Sequence, residues 1–164
     1  MLAYPVSAKP IDYSKPVFIQ PKLDGVRCLI QCDNGVITAY SRTGKVWKNI
    51  DHILFNLKPF FHWAPNVVLD GELYNHSFKD DFESIISMVR KTKPTDEDRS
   101  ISAKHVQFHC YDFVNRKMKF STRDEWLKGN LQSNHCIKLV STMLCLDEIS
   151  AKHGHKINLE DDEE

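Results

Sequence analysis

Apolar and polar residues alternate in several short segments of the chain, a pattern typical of half-buried β-strands. The predicted strands cover residues 17–20, 26–32, 36–41, 67–69, 106–114 and 137–140. Asp33, Asn34 and Gly35 separate the second strand from the third, and Asn-Gly favours the positive φ angles of a tight hairpin turn. The first third of the chain is therefore predicted to form antiparallel hairpins.

Apolar residues at a spacing of three and four positions predict helices elsewhere in the chain. The predicted helices cover residues 50–60, 80–91, 122–131 and 146–153. We expect Pro59 to end the first helix, and Thr122 with Glu125 to start the third as a capping box. Residues 91–102 are polar and contain Pro94, so a loop is predicted there. Interleaved helices and hairpins predict an α+β fold with largely antiparallel sheets and flanking helices.

Length and composition indicate one ordinary globular domain. The chain has 164 residues, of which 41% are apolar and 27% charged, and this is enough for a single core. No apolar run reaches the roughly 18 to 20 residues of a membrane span, and the N-terminus lacks the features of a secretory signal. We therefore expect a cytoplasmic protein, or one in a host cell's cytoplasm if it is viral, with no membrane association.

Charge and cysteine content bear on whether the chain binds DNA or zinc. The formal net charge is zero, which argues mildly against strong autonomous DNA binding, although the last five residues are acidic and the remainder is net positive. The five cysteines contain no C-x-x-C pair, so we predict structural roles for them and no zinc site. Trp47, Trp63 and Trp126 are expected to pack in the core.

The strongest chemical signal is the segment K-L-D-G-V-R at residues 22–27, directly after the first predicted strand. Gly25 permits a tight turn and a close approach to a ligand. Only a neutral amine attacks phosphorus, and the pKa of an ordinary lysine is near 10.4. We therefore expect Arg27, or a bound metal, to lower the pKa of Lys22 and to stabilise charge on an attacked phosphate. Read alone, the segment also fits a surface lysine in a turn, with Asp24 as a turn residue.

Three further segments follow in order along the chain. They are S-R-T-G at residues 41–44, D-G-E-L at residues 70–73 and F-H-C-Y-D at residues 108–112. Together with residues 22–27, they resemble motif I, the element after it, motif III and motif IIIa of the covalent nucleotidyltransferases. This superfamily comprises ATP-dependent DNA ligases, RNA ligases and mRNA capping enzymes, and the second and third segments look most like those of DNA ligases.

The resemblance implies a role for each residue around the lysine. Lys22 would form the phosphoramidate with AMP, and Gln20 would contact the adenine edge, since its amide can both donate and accept a hydrogen bond. Pro21 and Leu23 would belong to the same nucleotide-binding pocket. Arg27 would contact the ribose end of the nucleotide.

The resemblance also implies roles for residues of the other segments. Arg42 would hold a phosphate of the nucleotide or of the nick, and Glu72 would accept from a ribose hydroxyl or help to hold a metal. Tyr111 would stack on the purine; the family often has phenylalanine there, so the hydroxyl needs a partner. Asp24 and Gly25 would shape the turn. If each residue is read alone, Arg42 could be a solvent-exposed hairpin residue and Glu72 a turn residue. Tyr111 could equally be a core residue.

The expected substrates and partners follow from the same resemblance. They are ATP, Mg²⁺ or Mn²⁺, and nicked double-stranded DNA that is sealed during replication, repair or recombination. The family's motif IV, motif V and OB-fold domain are not found; K-M-K at residues 117–119 has the spacing of motif V but follows motif IIIa directly. We therefore expect residues 1–164 to be a partial adenylation domain, an incomplete nucleotidyltransferase (ATP-grasp-like) core, and a monomer.

An incomplete core has a functional consequence and leaves alternatives open. Without the motif V lysines the α-phosphate is poorly stabilised, so the chain alone is expected to adenylate poorly or not at all, and not to seal nicks. The alternatives are an RNA ligase, a capping-type nucleotidyltransferase, or a degenerate nucleotide-binding remnant without catalysis.

Overall fold

A central sheet of five strands and a separate sheet of two strands are present in this computed structural model, which describes residues 7–152 of the chain. The chain divides into a first unit, residues 1–21 with 141–164, and a second unit, residues 22–140. The strands, in chain order, are β1 (Val17–Ile19), β2 (Val26–Asp33), β3 (Val36–Tyr40), β4 (Val68–Tyr74), β5 (Gln107–Phe113), β6 (Ile137–Leu139) and β7 (Met143–Cys145). β1 and β7 pair antiparallel within the first unit.

The central sheet belongs to the second unit and has the strand order β3-β2-β4-β5-β6. Its pairs are antiparallel except for β5 and β6, which are parallel. Asn34 and Gly35 have φ angles of 49° and 81° in the β2–β3 turn, as the Asn-Gly pair predicts. The predicted α+β class with largely antiparallel sheets is thus confirmed. β7 was not predicted from the sequence.

One face of the central sheet is buried beneath helices. These helices are α1 (Asp51–Asn56), α2 (Lys58–Trp63), α3 (Phe82–Val89), α4 (Asp96–His105) and α5 (Phe120–Asn130). Ile30 of β2, Leu69 of β4 and Phe108 of β5 are 0% exposed, and they belong to one apolar cluster with Ile53 of α1 and Leu127 of α5. This cluster is the core of the second unit.

The opposite face of the central sheet carries the residues that alternate with the core positions. Along β2, β4 and β5 these residues are half-buried, apart from Asp33, which is exposed, and Tyr74, which is buried. We call this surface the polar face and define it by Arg27, Leu29, Asp70, Glu72, His109 and Tyr111. Motif I continues into β2, and motifs III and IIIa lie within β4 and β5, so three of the four sequence segments meet at this sheet.

The first predicted helix is in fact two. α1 ends at Asn56, and α2 begins at Lys58 with a proline in its first turn. The prediction that Pro59 ends a helix was wrong because proline fits the first turn, where its missing N–H would have no helical partner. Trp63, at the end of α2, is 86% exposed, which also corrects the expectation that it packs in the core. Trp47 and Trp126 do pack against the core.

The predicted loop at residues 91–102 contains most of a helix. α4 begins after Thr95, whose hydroxyl accepts from the Asp98 backbone N–H while the Asp98 carboxylate accepts from the Thr95 N–H. This reciprocal capping box satisfies two N–H groups at the helix start and offsets a polar sequence with little apolar periodicity. The loop prediction was wrong because it relied on polarity and Pro94.

The helix predicted at residues 122–131 begins earlier. α5 starts at Phe120 after Lys119, with no side-chain cap, so the capping box proposed for Thr122 and Glu125 is wrong. Residues 148–152 are helical within the predicted segment 146–153, and His153 lies outside the described residues. The helix predicted at residues 80–91 is present as α3, with Asp81 as its N-cap. No helix within the described residues is long and apolar enough to cross a membrane.

Candidate active site

Lys22 lies in the segment that leads into β2, and its side chain is 86% exposed. Its Nζ donates a hydrogen bond to the Asp24 carboxylate at 2.6 Å. This bond raises the pKa of Lys22, so the expected lowering by Arg27 was wrong for this geometry. The pair is exposed on both sides, so it contributes little to stability and can be exchanged easily for another anion.

Arg27 does not act as a free cation beside the lysine. Its guanidinium donates from Nε and Nη2 to the two carboxylate oxygens of Asp70, each at 2.5 Å. Arg27 is on β2 and Asp70 on the neighbouring β4, so this bidentate pair joins two strands on the polar face. The aspartate offsets the charge of the guanidinium, and the pKa of the lysine is governed by Asp24.

Glu72 stands directly opposite Arg27 in the β2–β4 ladder. Its partial burial raises the pKa of the carboxyl to about 7, against opposing effects of Arg27, the Gly25 backbone and Lys22. The carboxyl is therefore present in both protonation states near neutral pH. It can donate or accept a hydrogen bond there, as contact with a hydroxyl requires. Glu72 lies within a strand and not in a turn, so the simple turn-residue alternative does not apply.

Gly25 brings the motif I segment against β4. A Cβ atom there would lie 2.3 Å from the Leu73 carbonyl oxygen and 2.7 Å from Cγ of Glu72. The φ angle of Gly25 is not in the left-handed region, so its backbone conformation does not by itself require glycine. Glycine is needed here because a side chain would block the close approach of this backbone to β4. The segment that carries Lys22 is thereby fixed next to Glu72.

Tyr111 gives the motif I segment a second anchor. Its hydroxyl oxygen accepts a hydrogen bond from the Leu23 backbone N–H at 2.9 Å. Burial raises the pKa of Tyr111 to about 12, so the hydroxyl stays neutral at physiological pH. The partner that the hydroxyl was expected to need is therefore the residue that follows Lys22, and the core alternative does not describe this half-buried position.

His109 extends the polar face beyond the residues that the sequence singled out. It lies opposite Glu72 in the β4–β5 ladder, and its Nε2 is 2.9 Å from Gln107 Oε1. Gln107 donates through Nε2 to the His135 carbonyl, which leaves its Oε1 to accept from the imidazole. Burial, with a smaller effect of Lys138, lowers the pKa of His109 to about 4. The ring is therefore neutral, with its proton on Nε2.

Arg42 lies in a turn of the second unit, and Gln20 lies in the first unit. Arg42 is exposed in the turn after β3, which is closed by a Gly44 N–H bond to the Ser41 carbonyl at 2.9 Å. Within residues 7–152, Arg42 makes no hydrogen bond or ion pair, so its guanidinium is available to a ligand. Gln20 belongs to the first unit with Pro21, and its Nε2 donates to the Thr142 hydroxyl at 3.0 Å.

A second bidentate pair holds the end of motif IIIa. Arg123 of α5 donates from Nε and Nη2 to the Asp112 carboxylate at 2.8 and 2.7 Å. Asp112 is paired with Asp70 across the β4–β5 ladder, next to the bulge at Gly71. Sequence reasoning missed both arginine–aspartate pairs. The period-2 pattern could have indicated Asp70, because it places that residue on the same face as Glu72. No sequence signal pointed to Arg123.

The described residues do not form a metal site by themselves. Within residues 7–152, no group of three or more His, Cys, Asp or Glu side chains is placed to hold an ion. Asp70 is committed to Arg27, which leaves Glu72 as a single carboxylate on this part of the face.

The family model for the ATP-dependent DNA ligase domain matches residues 1–160 of the chain. The chain belongs to this family of ATP-dependent DNA ligase domains. No curated protein matches the chain in sequence. The family explains why four short segments spread over residues 22–112 lie in the expected order.

Solved structures show the same fold as this ligase domain. Pmar-Lig_PreS3 has a TM-score of 0.69 and 19% identity over 97% of this chain and 38% of its own. A Lig E DNA ligase has a TM-score of 0.67, 19% identity, and coverage of 97% and 57%. The ligase of bacteriophage T7 in complex with ATP has a TM-score of 0.59, 16% identity, and coverage of 84% and 52%. The chain thus spans less than two thirds of each of these proteins.

Proposed function

We propose that this chain carries the nucleotide-binding and lysine-adenylation site of an ATP-dependent DNA ligase, with Lys22 as the residue that receives AMP. One observation supports the proposal above the others. Motif I is anchored to motif III through Gly25 and Glu72, and to motif IIIa through Leu23 and Tyr111. Three segments far apart in sequence thus surround one exposed lysine.

The chemistry proposed for Lys22 is attack on the α-phosphorus of ATP. Lys22 first releases Asp24 and gives up its extra proton to water, because an ammonium has no lone pair. Nζ then forms a bond to the α-phosphorus as the bond to the bridging oxygen breaks, and the nitrogen, positively charged after the attack, loses a second proton to water. Pyrophosphate leaves with that electron pair, and AMP remains attached through a phosphoramidate. Family membership supports use of ATP, and the lysine itself is our assignment.

The polar face supplies groups for the nucleoside. The ring of Tyr111 offers a face for the purine, a contact of roughly 1 to 3 kcal/mol. Glu72, with its pKa of about 7, is suited to a ribose hydroxyl, and Arg27 keeps its pair with Asp70 at the same end of the face. Arg42 is the exposed cation that we assign to a phosphate.

The rate of this reaction is expected to be low in the chain by itself. Arg27 is committed to Asp70, and Asp24 holds Lys22 in its protonated form, which cannot attack. Little positive charge is then left on the polar face for the α-phosphate, and one missing donor of this kind typically costs about 2.7 to 4 kcal/mol in a transition state. Transfer of AMP to a DNA 5′-phosphate and sealing of the nick are proposed for the ligase as a whole, because the chain spans 38% of Pmar-Lig_PreS3.

Intact-mass measurement tests the proposed function. The chain is incubated for a long period with ATP and Mg²⁺, and its mass is followed over time. We expect a slow gain of one AMP, no gain in Lys22→Ala, and no gain in Lys22→Arg, which keeps the charge but not the nucleophile. Lys9→Ala, a change of an exposed lysine in the first unit, serves as the matched control and should behave as the unchanged chain.

The same assay separates the remaining alternatives. Labelling with GTP but not ATP would indicate a capping-type enzyme instead. Transfer of AMP to nicked RNA but not to nicked DNA, measured separately with the whole ligase, would indicate an RNA ligase. Binding of ATP without any covalent AMP would indicate a nucleotide-binding remnant and would contradict the proposal.

A further inference from the structure

The hydroxyl of Tyr111 makes a hydrogen bond that base stacking does not need. Stacking uses only the flat face of an aromatic ring, and phenylalanine supplies that face equally well. We propose that the Tyr111 hydroxyl is a positioning group, which fixes the backbone beside Lys22 so that Nζ is aimed at the nucleotide. This inference rests on the proposed function of Lys22 and adds how the nucleophile is held.

The hydrogen bond is placed where it constrains the lysine most. The donor is the backbone N–H of Leu23, the residue that follows Lys22 directly, and the acceptor is Tyr111 Oη at 2.9 Å. Residues 20–24 lie between β1 and β2 and belong to neither strand, so no sheet ladder holds this stretch of backbone. The tyrosine provides a tether of its own from β5, which is a central strand of the sheet.

The hydroxyl is suited to act as a permanent acceptor. Tyr111 is half-buried, and burial raises its pKa to about 12, so the group does not ionise in the physiological range. A neutral phenol accepts from the amide and keeps its own O–H as a donor. The tether is therefore insensitive to pH over the range in which Glu72 titrates.

One rigid side chain then serves two purposes. The hydroxyl forms its bond near the plane of the ring, while a purine stacks above that plane, so the two contacts do not compete. A base that restrains the ring also restrains Leu23 and, through it, the lysine. Binding of the correct nucleoside and placement of the nucleophile are thereby joined, which favours reaction because misplacement of a reacting group is costly.

Tyr111→Phe is the direct test, because it removes one oxygen and keeps the ring. We expect the first-order rate of AMP uptake at saturating ATP to fall about three- to tenfold, the effect of one neutral hydrogen bond. The dissociation constant for ATP should change less than about twofold, since stacking is retained. Amide exchange at Leu23 should become faster, and this readout does not depend on activity.

Tyr74→Phe is the matched control. Tyr74 is on β4, and its hydroxyl is 2.9 Å from His76 Nδ1, so the change also deletes a bonded hydroxyl but keeps both the Tyr111 hydroxyl and the Leu23 N–H that form the tether. Rate, ATP affinity and Leu23 exchange should all match those of the unchanged chain. A purely structural role for tyrosine hydroxyls would instead change both variants alike.

The outcomes separate the inference from the proposed function. If the unchanged chain takes up AMP at Lys22 and Tyr111→Phe does so at the same rate, the inference is overturned and the proposed function stands. If the unchanged chain takes up no AMP, the proposed function fails and the positioning role fails with it. Equal Leu23 exchange in Tyr111→Phe and the unchanged chain overturns the tether whatever the labelling shows.

Discussion

The two faces of the central sheet are built from the same strands but differ in burial and polarity. Leu29 and Ile30 are neighbours on β2, yet Ile30 is 0% exposed in the core while Leu29 is half-buried on the polar face. The core face is apolar and closely packed by helices. The polar face keeps ionisable groups partly out of water, and burial shifts the pKa of Glu72 and His109 there. Stability is thus concentrated on one face and the candidate chemistry on the other.

The sharpest contrast between the faces comes from truncating the two neighbours on β2. Ile30→Ala removes a fully buried side chain and should lower the free energy of unfolding by about 2 to 5 kcal/mol. Leu29→Ala removes a half-buried one and should cost about 1 kcal/mol or less. Urea denaturation measures both. Equal costs would contradict the division into a core face and a polar face.

A smaller loss of stability is expected from a substitution at Gly25 in motif I. Gly25→Ala puts a Cβ atom 2.3 Å from the Leu73 carbonyl, so it should destabilise by about 1 to 3 kcal/mol and displace the segment that carries Lys22. Gly129→Ala is the matched control, because nothing lies within 4 Å of its added Cβ. That change in α5 should be neutral or stabilising by up to about 1 kcal/mol. A neutral Gly25→Ala, seen in the urea midpoint, would show that the close approach to β4 is not needed.

The smallest expected effect is a pH dependence confined to the polar face. The folded pKa of Glu72, about 7, lies above its ordinary value of 4.5, so its contribution is fully present below pH 4.5 and is lost as the pH rises through 7. Glu72→Gln cannot ionise and should lose this dependence. Between pH 4.5 and 8, the free energy of unfolding of Glu72→Gln should rise relative to that of the unchanged chain. After allowance for partial exposure, we expect this relative rise to be about 1 to 2 kcal/mol.

His109 gives a pH dependence of stability with the opposite slope over an overlapping range. Its folded pKa of about 4 lies below the ordinary 6.5, so stability is lost as the pH falls from 6.5 through 4. Unfolding curves of Glu72→Gln should therefore show stability rising from pH 4 to 6.5 without a later decline. Glu125→Gln, on the exposed side of α5, is the control and should follow the unchanged chain. A Glu72→Gln profile parallel to the unchanged chain would contradict the burial of that carboxyl.

The sequence predicted the local elements whose signal is local. The Asn34-Gly35 turn, the strands on either side of it and the position of α3 follow from residue types within a few positions. It failed where a competing signal was stronger: Pro59 begins a helix instead of ending one, and a capping box makes residues 96–105 helical in spite of their polarity.

The residues of the candidate site were proposed from the order of the motifs, whereas the contacts between them could not be predicted. Motif order along the chain identified Lys22, Glu72 and Tyr111, and the fold brings motifs I, III and IIIa to one face. The partners were not predictable, because Asp24 rather than Arg27 governs the pKa of Lys22, and Asp70 takes up the charge of Arg27. Such pairings depend on strand register, which residue types alone do not reveal.

The most direct test of the central claim is to locate the AMP. The chain is incubated with ATP and Mg²⁺, digested, and the modified peptide is sequenced by tandem mass spectrometry under conditions that preserve a phosphoramidate. Our account predicts AMP on Nζ of Lys22. AMP on another lysine of the polar side of the sheet, such as Lys138 on β6, or on the Lys45 of the turn after β3, would contradict it.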